Sequence, residues 1–223
     1  MSSNIVQLTA SHIDNFPSRY RAEFINSLSG FKSAQLVGTR DKDGNNNLCI
    51  VSSVVHIGAH PPLLGMIMRP HTVQRDTLEN IKKTGVYTLN SVTSKITQQA
   101  HQTSARYPKT VSEFAAVGLV AEDSEAVNAP YVAESSIKLS LEVQDIQYLA
   151  INQTELVIGQ IAEVILPDTC IDKTGYVDIE VCDNIAISGL VSYHTTQRVA
   201  RYGFAKPDEI AENIVKKIQT DEK

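Results

Sequence analysis

A run of short apolar segments between residues 44 and 90 constrains the fold more than any other part of the sequence. An apolar run over residues 47–55 is interrupted by two hydroxyl side chains, Ser52 and Ser53. A Pro-Pro pair follows, and because proline has no N–H group to donate, a β-ladder cannot continue through it. The pattern predicts a buried strand interrupted by a polar site, then a proline-stopped loop that leads into a second strand.

The second half of this run predicts a helix between two strands. Residues 63–68 are typical of a strand that ends at Arg69. Residues 73–83 are typical of a short helix, with Thr72 as its N-cap and Gly85 just past its end. Hydroxyl groups, arginines and a helix start therefore fall close together, and these groups are suited to holding a phosphate.

The remainder of the chain predicts one β-rich domain over residues 1–223, with a helical lead-in over residues 1–30 and a C-terminal helix or tail over residues 204–223. Phe24 and Leu28 lie four positions apart, which predicts that their helix packs on the sheet. The further predicted elements are a helix over residues 19–28, strands over 33–40, 86–90, 137–149, 155–166 and 185–191, a hairpin turn over 41–45, short helices over 94–101 and 111–116, and a helix after Pro207.

Composition narrows the class of protein. Apolar residues make up 42% of the chain, enough for a sizeable core, and no apolar run has the length of a membrane span. Neither a secretory signal nor a Lys/Arg cluster is present, and the net charge is −5, which argues against membrane and nucleic-acid partners. Three cysteines favour a reducing compartment over a disulfide framework, so the cytoplasm is the expected location.

The run over residues 44–90, called the organising run below, has a set of features in a fixed order. They are Asn47, Ser52 and Ser53 five and six residues later, the pair Pro61-Pro62, Thr77, the helix to Lys83, and Asn90 at the end of a strand. With these features the run resembles the flavin reductase-like family of FMN-binding split barrels, and a looser resemblance extends from about Phe31 to Tyr202. Ile50 departs from the pattern, because many relatives carry a threonine there. The resemblance implies a mainly β split barrel with peripheral α-helices, an FMN cofactor and a homodimer.

The candidate phosphate ligands are two serines, two arginines and a threonine. Ser52 and Ser53 could donate hydrogen bonds to the ribityl phosphate, or they could be strand-end serines satisfied by their own backbone. Arg69 and Arg75 could clamp the phosphate, since a guanidinium is a planar fork, or they could be solvated surface arginines. The resemblance aligns Thr77 with a position that contacts the flavin phosphate.

Three further candidates concern the flavin ring. The resemblance places Asn47 and Asn90 beside the isoalloxazine, although Asn47 could simply end a turn and Asn90 could cap a strand. His194 is the candidate catalytic residue, as an imidazole that assists nicotinamide binding or proton delivery; a purely structural histidine is the alternative. His56, His60 and His71 have no carboxylate at metal-ligand spacing, so no metal is expected.

The sequence has no glycine-rich dinucleotide fingerprint, so any nicotinamide would bind without a Rossmann domain. The resemblance implies that NAD(P)H stacks transiently over an exposed flavin. Reduction of flavin by NAD(P)H is therefore the leading hypothesis, with the cofactor supplying the chemistry. The alternatives are an FMN-containing electron carrier that takes electrons from a protein partner, and a non-enzymatic binding module for small molecules.

Overall fold

A computed structural model describes residues 4–70 and 75–214 of the protein. The strands are β1 (Lys32–Ser33), β2 (Gln35–Arg40), β3 (Asn46–Val51), β4 (Val54–Ala59), β5 (Pro62–Met68), β6 (Val86–Ser91), β7 (Ala121–Asp123), β8 (Pro130–Val132), β9 (Lys138–Leu149), β10 (Thr154–Ile165), β11 (Ala186–Ser188) and β12 (Ser192–His194). The α-helices are α1 (Ala10–Asp14), α2 (Ser18–Leu28), α3 (Asp76–Thr84), α4 (Thr97–Gln102) and α5 (Glu113–Val117).

Seven antiparallel strands form the main sheet, in the order β3-β2-β6-β9-β10-β5-β4. The two outer strands, β3 and β4, are consecutive in the chain and are separated only by Ser52 and Ser53. The sheet must therefore curl until its two edges meet at these serines. The Ile67 N–H donates to the Ser53 carbonyl at 3.4 Å, and the Ser53 hydroxyl donates to the Ile67 carbonyl at 2.7 Å. The result is a curled sheet that opens between β3 and β4.

Both faces of the sheet are buried around β2. Successive side chains of a strand point to opposite faces, so Leu36 and Val37 enter different core clusters. Val37 packs with Leu78 and Ile81 of α3, while Leu36 packs with side chains that include Phe114 of α5. Helices therefore cover β2 and β3 from two sides, which positions the start of α3 and the end of α4 beside the edge strand.

The structure confirms the hairpin at residues 41–45 and the strand and helix order of the organising run. Helix α3 ends at Gly85 as predicted, and φ is +74° there, a value that favours glycine. Its first residue is Asp76, three positions later than predicted, and the proposed Thr72 cap lies outside the described residues.

Two predictions about the periphery are wrong, and a third falls partly outside the described residues. Helix α2 buries none of its residues, because Phe24 packs on Phe16 and Tyr20 within the lead-in (ring centroids 5.5 and 6.4 Å apart) and not on the sheet. No helix follows Pro207 up to residue 214, and residues 215–223 lie outside the described part. The cysteine count favoured unpaired thiols, whereas Cys170 and Cys182 form a disulfide.

Within the described ranges, none of the helices has the length and apolar character needed to cross a membrane.

Candidate functional site

A cavity of about 920 Å³ opens where the two sheet edges meet, a size near the upper end for small-molecule sites. It lies along β3 and is bounded by the end of β5, the start of α3, the loop after α4 and the β11–β12 turn. The lining residues used below are Asn47, Cys49, Ile50, Val51, Ser52, Ser53, Arg69, Arg75, Thr77, His101, Arg106, Glu113, Leu190 and Val191.

Asn47 and Thr77 fix one corner of the cavity. The Asn47 amide donates to the Thr77 hydroxyl oxygen at 2.8 Å, which joins β3 to the first turn of α3. Burial raises the pKa of the neighbouring Cys49 thiol to about 11, partly countered by a hydrogen bond with Thr77. Cys49 is therefore a neutral thiol at pH 7, so it is not a ready nucleophile.

Three guanidinium groups meet at the cavity. Burial lowers the pKa of Arg75, and the positive charges of Arg69 and Arg106 lower it further, so both of these groups lie near enough to repel Arg75. Arg75 donates to the Pro70 carbonyl at 3.1 Å. In the part of the chain that the structure describes, neither Arg69 nor Arg106 forms an ion pair with a carboxylate. This concentration of positive charge suits an anionic ligand such as a phosphate.

Glu113 lines the cavity from the start of α5. The backbone N–H of Leu48 donates to its carboxylate at 3.0 Å, so the side chain ties α5 to the edge strand. Burial raises the pKa of Glu113, and the hydrogen bond from Leu48 acts in the other direction. The carboxylate therefore has a structural task in the wall of the cavity.

The two candidate serines have different surroundings. The Ser53 hydroxyl proton goes to the Ile67 carbonyl, as one of the bonds that join the sheet edges. Ser52 also lines the cavity, and among the described residues its hydroxyl has no hydrogen-bond partner. Of these two serines, therefore, Ser52 is the one whose side-chain O–H remains available to a ligand.

Asn90 and His194 are not brought to the cavity. Asn90 is fully buried, where it donates to the Leu36 carbonyl at 3.2 Å and accepts from the Val132 N–H at 3.0 Å. The His194 ring lies 2.8 Å from the Ser188 hydroxyl through Nε2, and its centroid is 4.9 Å from that of Phe31. Neither side chain is among the lining residues. The other six candidates, Asn47, Ser52, Ser53, Arg69, Arg75 and Thr77, all line it.

The lining residues that sequence reasoning missed include His101 and Arg106, which have roles in the proposals below. Both belong to the polar segment at the end of α4 and after it, which has no apolar periodicity to place it against the sheet. The cluster of an arginine, a tyrosine and a lysine within residues 106–109 was the one local signal of a ligand-binding loop.

The sheet and cavity define a split barrel, and comparison with known proteins agrees. The chain belongs to the family described as the flavin reductase like domain, whose model matches residues 31–183. It is 51% identical to a crystal structure from Shewanella frigidimarina NCIMB 400, named as a candidate flavin reductase with a split barrel domain. The TM-score is 0.87, and the match covers 90% of this chain and 100% of the other.

Two more distant structures share the fold alone. Nitrilotriacetate monooxygenase component B from Bacillus cereus is 17% identical, with a TM-score of 0.78 over 88% of this chain and 98% of the other. The NADH:FAD oxidoreductase SgcE6 from Streptomyces globisporus C-1027 is 11% identical, with a TM-score of 0.66 over 87% and 100% of the two chains.

The cavity fits a flavin better than it fits a metal ion. The guanidinium groups of Arg69, Arg75 and Arg106 and the Ser52 hydroxyl suit a phosphate. The apolar side chains of Ile50, Leu190 and Val191 suit a planar ring. Within residues 4–70 and 75–214, no group of three or more His, Cys, Asp or Glu side chains is placed to hold a metal.

Proposed function

We propose that this protein binds FMN in the cavity along β3 and reduces it with NAD(P)H. The observation that carries the proposal is the pairing of cationic and apolar surface in one cavity of about 920 Å³. Family membership supports an oxidoreductase that uses flavin and a reduced pyridine nucleotide. The choice of FMN over FAD, and the use of NADH or NADPH, are our own proposals.

The residues have separate tasks in this proposal. Arg69, Arg75 and Arg106 would hold the phosphate through charge-assisted hydrogen bonds. The Ser52 hydroxyl would add a neutral donor, while Asn47 and Thr77 keep the corner of the cavity in shape. Asn90 has a structural task in this proposal, because its polar atoms are occupied away from the cavity, and His194 has no part in it, because it is not among the lining residues.

The apolar wall would exclude water from the reacting ring. A bound flavin supplies the hydride acceptor, so the protein need only position it and leave one face open to the nicotinamide. Ile50 and Val51 on β3 and Leu190 and Val191 across the cavity provide this wall. A short set of catalytic side chains is the consequence, since binding and orientation carry the rate enhancement.

Anaerobic reduction tests the proposed reaction. We expect the flavin absorbance of the FMN-loaded protein to bleach on addition of NADH or NADPH. Dithionite is the control, because it reduces bound flavin without a nucleotide site. If dithionite bleaches the flavin and neither nucleotide does, the reductase proposal fails and an electron carrier with a protein partner replaces it.

A homodimer and a cytoplasmic location complete the proposal.

A further inference from the structure

We propose that His101 is a ligand-binding residue of this cavity, donating a hydrogen bond to the ring system of bound flavin, and that Tyr193 positions it. The inference rests on the proposed function, because it takes flavin as the ligand. His101 lines the cavity at the end of α4, and Tyr193 lies in β12, 92 residues away in sequence. Their contact is therefore made by the fold and not by local sequence.

The pair has a defined geometry. His101 Nδ1 lies 2.9 Å from the Tyr193 hydroxyl oxygen in a partly buried environment. The two rings are 5.7 Å apart between centroids, at 89°, an edge-to-face arrangement. Tyr193 is held in turn by β12, where its backbone pairs with that of Ile187. The imidazole is thus fixed by both a hydrogen bond and ring packing.

The tautomer of His101 depends on the direction of its hydrogen bond with Tyr193. Burial raises the pKa of Tyr193, so its phenol keeps its proton at neutral pH. Among the described residues, His101 Nδ1 is the one hydrogen-bond partner of this phenol. With the phenol as the donor to Nδ1, a neutral imidazole carries its own proton on Nε2.

Nε2–H is then a donor without a partner. In the described ranges of the chain, no hydrogen bond to His101 Nε2 is formed, although the residue lines a ligand-sized cavity. His101 is half-buried, and its Nε2 is not among the fully buried unpartnered atoms, so this donor is accessible to the acceptor of a bound ligand. The Tyr193 contact fixes the direction in which this donor points, which is why Tyr193 is a positioning residue and not a binding one.

The ring system is the part of a flavin that matches this donor. The phosphate is better held by Arg69, Arg75 and Arg106, since charge-assisted hydrogen bonds are stronger than neutral ones. The His101–Tyr193 pair instead adjoins the apolar wall, because Ile187, the strand partner of Tyr193, lines the same cavity. A planar ring against that wall would offer its carbonyl oxygens and ring nitrogens as acceptors.

Equilibrium binding to the 223-residue chain tests this inference, with FMN and riboflavin as probes and quenching of flavin fluorescence as the signal. We expect His101→Ala to weaken the binding of FMN and of riboflavin by the same factor, about fivefold, which corresponds to the loss of one neutral hydrogen bond. His101→Gln should recover part of the loss, because its amide can donate. Tyr193→Phe should weaken binding by a smaller factor and have no further effect in the His101→Ala background.

Matched controls separate the site from general damage. His56→Ala and Tyr148→Phe change exposed residues of the same types outside the cavity, and both should bind flavin like the unchanged protein. If His101→Ala does not fold, as judged by its melting curve, His101→Gln and Tyr193→Phe decide the matter.

The possible failures are distinguishable. Unchanged affinity of the His101 variants for both flavins would overturn the inference and leave the proposed function standing. A loss for FMN alone would also overturn it, because His101 would then contact the phosphate. If the unchanged protein binds neither flavin, the proposed function fails and the inference fails with it.

Discussion

The Ser53 hydroxyl donates to the Ile67 carbonyl at 2.7 Å, and this bond joins the two edges of the curled sheet. Its neighbour Ser52 lines the same cavity without a hydrogen-bond partner among the described residues. Two adjacent serines therefore have different tasks. Ser53 closes the sheet, and Ser52 is available to a ligand, which makes the two residues separable by mutation.

Ser52→Asp should weaken FMN binding tenfold or more. The new carboxylate would face the phosphate, and two like charges about 4 Å apart repel by roughly 4 kcal/mol at an effective dielectric of 20. A third of that repulsion, about 1.4 kcal/mol, would lower the affinity for FMN tenfold. Riboflavin has no phosphate and should lose far less, as measured by parallel fluorescence titrations. Equal losses for both flavins would indicate a structural role for Ser52, and no loss for either would place the phosphate elsewhere.

Ser53→Ala should act on stability instead. Removal of the hydroxyl leaves the Ile67 carbonyl without this bond, so we expect the free energy of unfolding to fall by about 1 kcal/mol in urea titrations. Because the change loosens the sheet edges without touching charge, FMN and riboflavin should be affected by the same factor. A loss specific to FMN, with unchanged stability, would show that Ser53 contacts the phosphate directly.

Much of the fold could be predicted because its signals are local. Prolines, hydroxyl residues and glycines mark the strand ends of the organising run, and six of the eight candidate site residues line one cavity as a result. Helix α2 shows where such reasoning ends. Its apolar periodicity predicted packing on the sheet, but Phe24 is occupied by Phe16 and Tyr20 of the same lead-in.

The other differences within the site arise from long-range contacts. Asn90 lies in a strand, as predicted. Strand alternation, however, does not reveal which face of the strand opens to a cavity, and the Asn90 side chain is on a buried face, where it bonds the backbone of Leu36 and Val132. His194 was the most conspicuous histidine in the sequence, whereas His101 reaches the cavity and is held by the residue beside His194, Tyr193. The pairing of β11 with β12 places Tyr193, and not His194, beside the cavity histidine, and this pairing could not be read from the local sequence.

Arg106→Ala should weaken FMN binding by about fivefold while leaving riboflavin binding unchanged. An exposed charge contributes about 1 kcal/mol at most, and its removal also relieves the repulsion that lowers the pKa of Arg75. The effect should shrink as salt is raised, since screening weakens exposed charges first. Arg19→Ala, on exposed helix α2, is the matched control. An equal loss for riboflavin would contradict a phosphate contact.

Gly38→Ala should destabilise the fold by about 1–3 kcal/mol, as expected for overpacking. A Cβ at Gly38 would meet the Pro130 carbonyl oxygen and the Thr88 hydroxyl well inside van der Waals distance. Gly58→Ala is the control, because its Cβ would lie 3.4 Å from the Pro61 oxygen, an ordinary contact. Denaturant titration of both variants checks the prediction, and equal stability of the two would contradict the packing described for β2.

The protein should form a two-fold dimer. Several large apolar side chains are exposed, among them Leu28 and Phe31 at 63% and 66%, and Val199 and Phe204 at 96% and 98%. Exposed apolar surface of this extent is normally covered by a partner, and a second copy of the chain is the commonest partner. Light scattering should give twice the chain mass of 24.5 kDa; a value near 24.5 kDa would rule the dimer out.

The central claim, that the cavity along β3 is a flavin site, is tested most directly by titrating FMN with the unchanged protein and following flavin fluorescence. The account predicts saturable quenching at micromolar protein, a binding free energy of about −8 kcal/mol, with weaker binding of riboflavin because it lacks the phosphate. Absence of quenching for both flavins over this range would contradict the claim.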